Sequence, residues 1–204
     1  MTKVSLNKSS LSRQSRLLKS YQQFLPSLDL KRKQLMAERA QAQGELEAVE
    51  KRLAELRNWV GANLPMLADA ELDLHQLVRV EDVRLEQENV VGTWLPRLGE
   101  VELRVRPYGY LSKPHWLESL IERISDGLRL RLEAEVAARR VTLLDAAVRT
   151  VTQRVNLFEK VLIPRARAQI KRIRIALSDA ERAAVVRSKI AKRKRAQDFA
   201  GAAP

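Results

Sequence analysis

Residues 141–162, VTLLDAAVRTVTQRVNLFEKVL, carry an unbroken apolar seam: Val141, Leu144, Val148, Val151, Val155, Phe158 and Leu162 follow one another at alternating steps of three and four. That spacing puts all seven on one stripe of an α-helix, and a stripe this narrow suits a partner helix better than a broad globular core. After Ile163 and Pro164 the seam resumes one residue late, at Ala166, Ile170, Ile173, Leu177 and Ala180. The shift predicts a local change of supercoil, and Pro164 predicts a bend, because a proline removes one backbone donor. In the other direction Trp116, Leu117, Leu120, Ile121, Ile124 and Leu128 form a broad apolar face behind Pro114. A C-terminal helix over 114–197 follows from these patterns, with 198–204 as a flexible tail.

The partner stripe lies at the other end of the chain. From Leu11 to Val60 the same alternation runs through fifteen positions, broken only by Gln14, Arg32 and Arg39, and it is cleanest at Leu46, Val49, Leu53, Leu56 and Val60. An N-terminal helix over 9–62 is predicted, started by Ser9 or Ser10 and kinked or briefly broken near Pro26. Between the helices, Gly61, Pro65, Gly92, Pro96, Gly99, Pro107, Gly109 and Pro114 punctuate the chain, and the period drops towards two over 77–85 and 101–105. Residues 63–113 read as a small head with short strands paired in a β-hairpin. The fold class is therefore mainly α: a long antiparallel coiled coil of N- and C-terminal helices, with the head allowing the chain to reverse.

Composition agrees. Of 204 residues 45% are hydrophobic and 31% charged but only 4% aromatic, a mixture that favours long helices over a compact core. Cysteine is absent, which excludes disulfides, thiolate metal sites and cysteine nucleophiles. His75 and His115 stand far apart with no metal-ligand spacing, and Glu81–Asp82 and Glu86/Glu88 fall where a solvated strand face explains them. No phosphate-cradling glycine loop is present. Catalytic residues, cofactor, metal and small-molecule substrate are all expected to be absent. No apolar run approaches the roughly 18 residues that cross a bilayer, and the first residues lack the apolar core of a signal peptide, so a cytoplasmic protein is expected.

Charge is uneven. Residues 1–39 carry +7, 40–164 carry −3, 165–195 carry +10 and the last nine −1, within a total of +13. An antiparallel pair brings the two basic ends together, at an electrostatic cost that an acidic or polyanionic partner would relieve. The run Lys189-Ile190-Ala191-Lys192-Arg193-Lys194-Arg195 fits a nucleic acid by charge alone, but aromatic stacking residues are missing around it except Phe199, which makes nucleic acid the weaker reading.

Three blocks resemble one family. Gln153-Arg154-Val155-Asn156-Leu157-Phe158-Glu159-Lys160-Val161-Leu162-Ile163-Pro164, followed by Ile170-Lys171-Arg172-Ile173 and Leu177-Ser178-Asp179-Ala180-Glu181-Arg182, is similar to the "RRVNALE…VIP…TIKYI…LDE.ER" block of the D subunit of V-type and A-type rotary ATPases. Residues 28–36, LDLKRKQLM, resemble that family's "LLKLKRDxLM", and residues 89–96, NVVGTWLP, its "NVAGVxLP". The order matches across nearly the whole chain, with Gln153, Leu157–Phe158 and Arg172 as departures. The resemblance implies a non-catalytic central rotor shaft that couples ATP hydrolysis or synthesis in a surrounding ring to ion translocation. It implies as partners the catalytic and regulatory ring subunits, a small rotor subunit on the head and a membrane-rotor adaptor, with the chain peripheral to the membrane. On this reading the seam residues above stiffen the shaft, and Arg165, Arg167, Lys171, Arg172 and Arg174 face acidic or polar groups of the ring. The alternative is a nucleic-acid-associated or export-apparatus coiled-coil protein.

Overall fold

The computed structural model describes residues 5–64, 77–107 and 116–201. Its elements in chain order are helix α1 (Lys8–Asn63), strands β1 (Val78–Val90) and β2 (Thr93–Val105), helix α2 (Leu117–Asn156), a π-helical turn (Leu157–Leu162) and helix α3 (Ile163–Gly201). The protein is mainly α with one antiparallel hairpin. His75 and His115 lie outside the described residues, as do parts of the predicted head. The chain divides into two compact units, 1–30 with 152–204, and 31–151.

Helix α1 starts differently from the expectation. Asn7, not Ser9 or Ser10, caps it: the Asn7 Oδ1 accepts the Ser10 N–H at 2.7 Å, satisfying one of the free donors of the first turn. Pro26 sits inside α1 without ending it, so of the expected kink or brief break the break is not found. The Ser27 hydroxyl donates to the Phe24 carbonyl at 2.8 Å, tying down the backbone beside the proline.

In the unit of residues 31–151, the second part of α1 packs antiparallel against α2. Arg39 pairs with Asp145, Arg52 with Glu133 at 3.2 Å, and Arg123 lies 4.7 Å over the Trp59 ring, so numbering falls on α2 as it rises on α1. Leu35, Ala42 and Val49, seven residues apart, are buried on α1, and Leu144 and Val151 on α2. Arg39, one of the polar interruptions of the seam, keeps much of its side chain in solvent: it reaches out of the interface to Asp145. A broader cluster of Leu64, Leu77, Val78, Leu117, Leu120 and Ile121, joined by Val60, Leu103 and Trp116, ties the base of the hairpin to the helices.

The hairpin is longer than the sequence alternation indicated. Each strand has 13 residues, joined by the two-residue turn Val91–Gly92, in which both residues have positive φ, 50° and 75°. Two bulges lie in the ladder, between Val80 and Asp82 and between Val83 and Leu85. The first adds a residue on β1 and the second one on β2, so the register drifts and returns. A strand of this length spans about 43 Å, and 29 helical residues span about 44 Å. The hairpin accordingly folds back along the helix pair: its base joins the cluster near Val60, and at its tip a Cβ on Gly92 would come within 3.2 Å of the Lys31 Nζ. Nearer the tip, the Arg140 guanidinium donates to the Glu88 carboxylate at 3.3 Å and to the Pro96 carbonyl at 3.2 Å, clamping β1 and β2 to α2. Leu95 is buried beneath the hairpin, whereas the neighbouring Trp94 is 62% exposed on its other face.

In the unit of residues 1–30 and 152–204, the first part of α1 runs antiparallel to the end of α2, the π-turn and α3. Tyr21 meets Phe158 edge to face at 5.4 Å, and Lys8 approaches Glu181 at 3.8 Å. Val155, Ile163, Ala166, Ile170 and Ile173 are its buried residues. The predicted frame shift after Pro164 occurs earlier. The Ile163 N–H donates to the Phe158 carbonyl, five residues back, so the extra residue is taken up within 157–162, and Ile163 is more deeply buried than Leu162.

Candidate partner-binding surface

The unit of residues 1–30 and 152–204 holds 19 Lys and Arg against 5 Asp and Glu, a net +14, while residues 31–151 hold 19 against 20, a net −1. All the excess charge of the chain therefore sits on one unit. Helix α3 disperses it: Arg165, Arg167, Lys171, Arg172 and Arg174 are all exposed, because the buried stripe Ala166, Ile170 and Ile173 takes the opposite side of the same turns.

The structure brings three of the five into one place. Arg167, Lys171 and Arg174 line an open groove of about 490 Å³ with Ser15, Leu18, Lys19 and Gln22 of α1 and with Ile170 and Ile175. Four cations and, among the described residues, no carboxylate line this groove, so it offers charge-assisted donors to an acidic partner beside apolar side chains. Arg165 and Arg172 are exposed outside it. Lys19 escapes a reading of the sequence that looks for the basic face on the C-terminal helix alone. The antiparallel pairing itself holds the signal, since residues early in α1 lie beside those well along α3, as the approach of Lys8 to Glu181 shows.

The seam residues fall on the inner face of their helices to different depths. Leu144, Val151 and Val155 are buried; Val141, Val148, Phe158 and Leu162 are half-buried. Apolar groups also remain uncovered on the hairpin, where Val80, Leu85, Trp94 and Val105 are exposed. Among the described residues no group of three or more His, Asp or Glu is placed to hold a metal ion, and no helix is long and apolar enough to cross a membrane.

A family model described as the ATP synthase D subunit matches residues 10–193. The chain belongs to this family, the D subunit of the rotary ATPases. Its relatives include the V-type ATP synthase D subunit of Borreliella burgdorferi, 33% identical over 196 residues that cover 94% of this chain and 95% of that one. The corresponding V-type protein of Chlamydia trachomatis serovar L2 is 33% identical over 199 residues, 95% and 96% of the two chains, and that of Chlamydia muridarum 32% identical over 201 residues with the same coverage. The match takes in both units and reaches along all three helices of the fold. The nucleic-acid and export-apparatus alternative finds no support among these relatives.

Proposed function

We propose that this chain is the non-catalytic central rotor shaft of a V/A-type ATPase, peripheral to the membrane on its cytoplasmic side. The concentration of +14 on one paired-helix unit is the observation that carries the reading. A unit with that charge and an open groove lined by Lys19, Arg167, Lys171 and Arg174 is repelled by itself and attracted by a surrounding surface of acidic groups. The catalytic and regulatory subunits of the ring supply that surface. An asymmetric helix pair inside a pseudo-symmetric ring contacts each catalytic site differently, and only such differential contact lets rotation and ATP turnover drive one another. The neutral unit, with its exposed Trp94 and Leu85, is where a small rotor subunit and the adaptor to the membrane rotor attach.

Reversing Lys171, Arg172 and Arg174 to Glu tests the reading. These side chains are exposed, so the isolated chain stays helical by circular dichroism, while assembly with the ring or ATP-driven pumping is lost. Unchanged assembly and pumping would refute it.

A further inference from the structure

The π-turn holds one residue more than the helix pair needs. Upstream, Leu144, Val148, Val151, Val155 and Phe158 keep the heptad; downstream, Ile163, Ala166, Ile170 and Ile173 keep it again. From Val155 to Ile163 the chain takes eight residues where the heptad takes seven. Had the first frame continued, Arg165, Gln169 and Arg172 would face α1, and burying unpaired charge in an apolar seam is strongly unfavourable. The wide turn absorbs the surplus, so that α3 begins with its apolar face already turned inward. Segments of this kind are rare, appear as single turns inside α-helices, and concentrate at functional sites.

Two further features fall at the same level. No residue of 157–162 is buried, and Leu157 and Val161 are 47% and 48% exposed, so packing is thin here. Pro164 removes the N–H that would bond the Lys160 carbonyl, and Pro26 removes the one that would bond the Gln22 carbonyl on the facing helix. The gap at Lys160 lies inside the wide turn itself, where the Phe158 ring meets the Tyr21 ring of α1 edge to face. The wide turn and the donor missing at Pro164 therefore fall within two residues of one another.

From this coincidence we propose that residues 157–162 are a torsional joint. Twist about the helix axis is taken up by exchanging i→i−5 for i→i−4 hydrogen bonds as the surplus residue moves along the turn. The buried contacts of Val151 and Val155 on one side and Ile163, Ala166 and Ile170 on the other stay seated. The inference rests on the shaft reading for the source of the twist, but not for the surplus residue.

Deleting Lys160, an exposed residue, puts the whole seam into one heptad frame and turns the π-turn into plain α-helix; Lys160→Ala keeps the surplus and serves as the control. In the full-length chain the deletion slows hydrogen exchange of the remaining amides of residues 157–163 at least tenfold and raises the thermal midpoint by about 3 °C. In the complex assembled with its ring, the deletion lowers the ions pumped per ATP hydrolysed, while Lys160→Ala leaves the ratio at its normal value. A lowered midpoint with unchanged or faster exchange would overturn the proposal by showing that packing requires the wide turn. Slowed exchange with an unchanged pumping ratio would overturn the torsional role. Failure of the unmodified chain to enter the ring would overturn the shaft reading, and the torsional role with it, by a readout that exchange does not share.

Discussion

Val91 is a residue whose backbone conflicts with its side chain. It sits at φ 50° in the hairpin turn, a region that β-branched residues avoid and that Asn enters at little cost. Gly92 beside it, at φ 75°, suits its place, and the Asn89 side chain accepts the Gly92 N–H at 2.9 Å, so the turn is held by its neighbours. Val91→Asn is expected to stabilise the chain by about 1 kcal/mol, read as a rise in the urea midpoint with an unchanged slope. Leu144, 1% exposed, is the opposite case. Leu144→Ala leaves a cavity in a seam with few other contacts to close it, and it should cost about 2–5 kcal/mol by the same measurement. Leu144 is legible as a core residue from its spacing. The strain at Val91 is not, because Val-Gly is a poor signal for a two-residue turn.

At the scale of elements, the helices are readable and their irregularities less so. Period alone gives α1 and the helical stretch that holds α2 and α3, since buried residues repeat along a stripe; it reads that stretch as one helix. It does not say which turn holds an extra residue, because Leu162 and Ile163 are both apolar and either continues a seam. Pro26 reads as a kink or a brief break by local chemistry, and the packing and hydrogen bonds of a 56-residue helix carry the chain through it without a break. The strands look short in the sequence for a physical reason. The bulges at Glu81 and around Gly99 reset the two-residue alternation, and the Gly99 position tolerates no side chain easily, since a Cβ would come within 3.0 Å of the Arg84 carbonyl oxygen. A two-stranded hairpin is marginal alone, so its position depends on the helix beneath it. Arg140 supplies a link near the tip, and Arg140→Ala should loosen that end of the hairpin while the apolar cluster holds its base. The expected result is a loss of about 1–3 kcal/mol, with exchange at β1 and β2 amides accelerating more than at α2. Equal acceleration in both elements would show that Arg140 supports the whole unit and not the clamp.

For the whole molecule, charge carries what periodicity cannot. The heptads give paired helices of no particular purpose; the division into +14 and −1 says which part of the chain needs a partner of opposite charge. Three of the five cations singled out on α3 share a groove, and the fourth cation of that groove, Lys19, comes from the other end of the sequence. A site assembled from two distant segments is visible only once their pairing register is known. Rotation is the central claim, and the chain is suited to a direct test because it contains no cysteine. Glu86→Cys places a single thiol on the exposed hairpin strand, to which a bead or fluorophore is attached in the assembled complex. With the ring immobilised and ATP supplied, the label should turn in one direction in three-fold steps, at a rate that follows ATP hydrolysis. A label that stays fixed while the same complexes hydrolyse ATP would contradict the account.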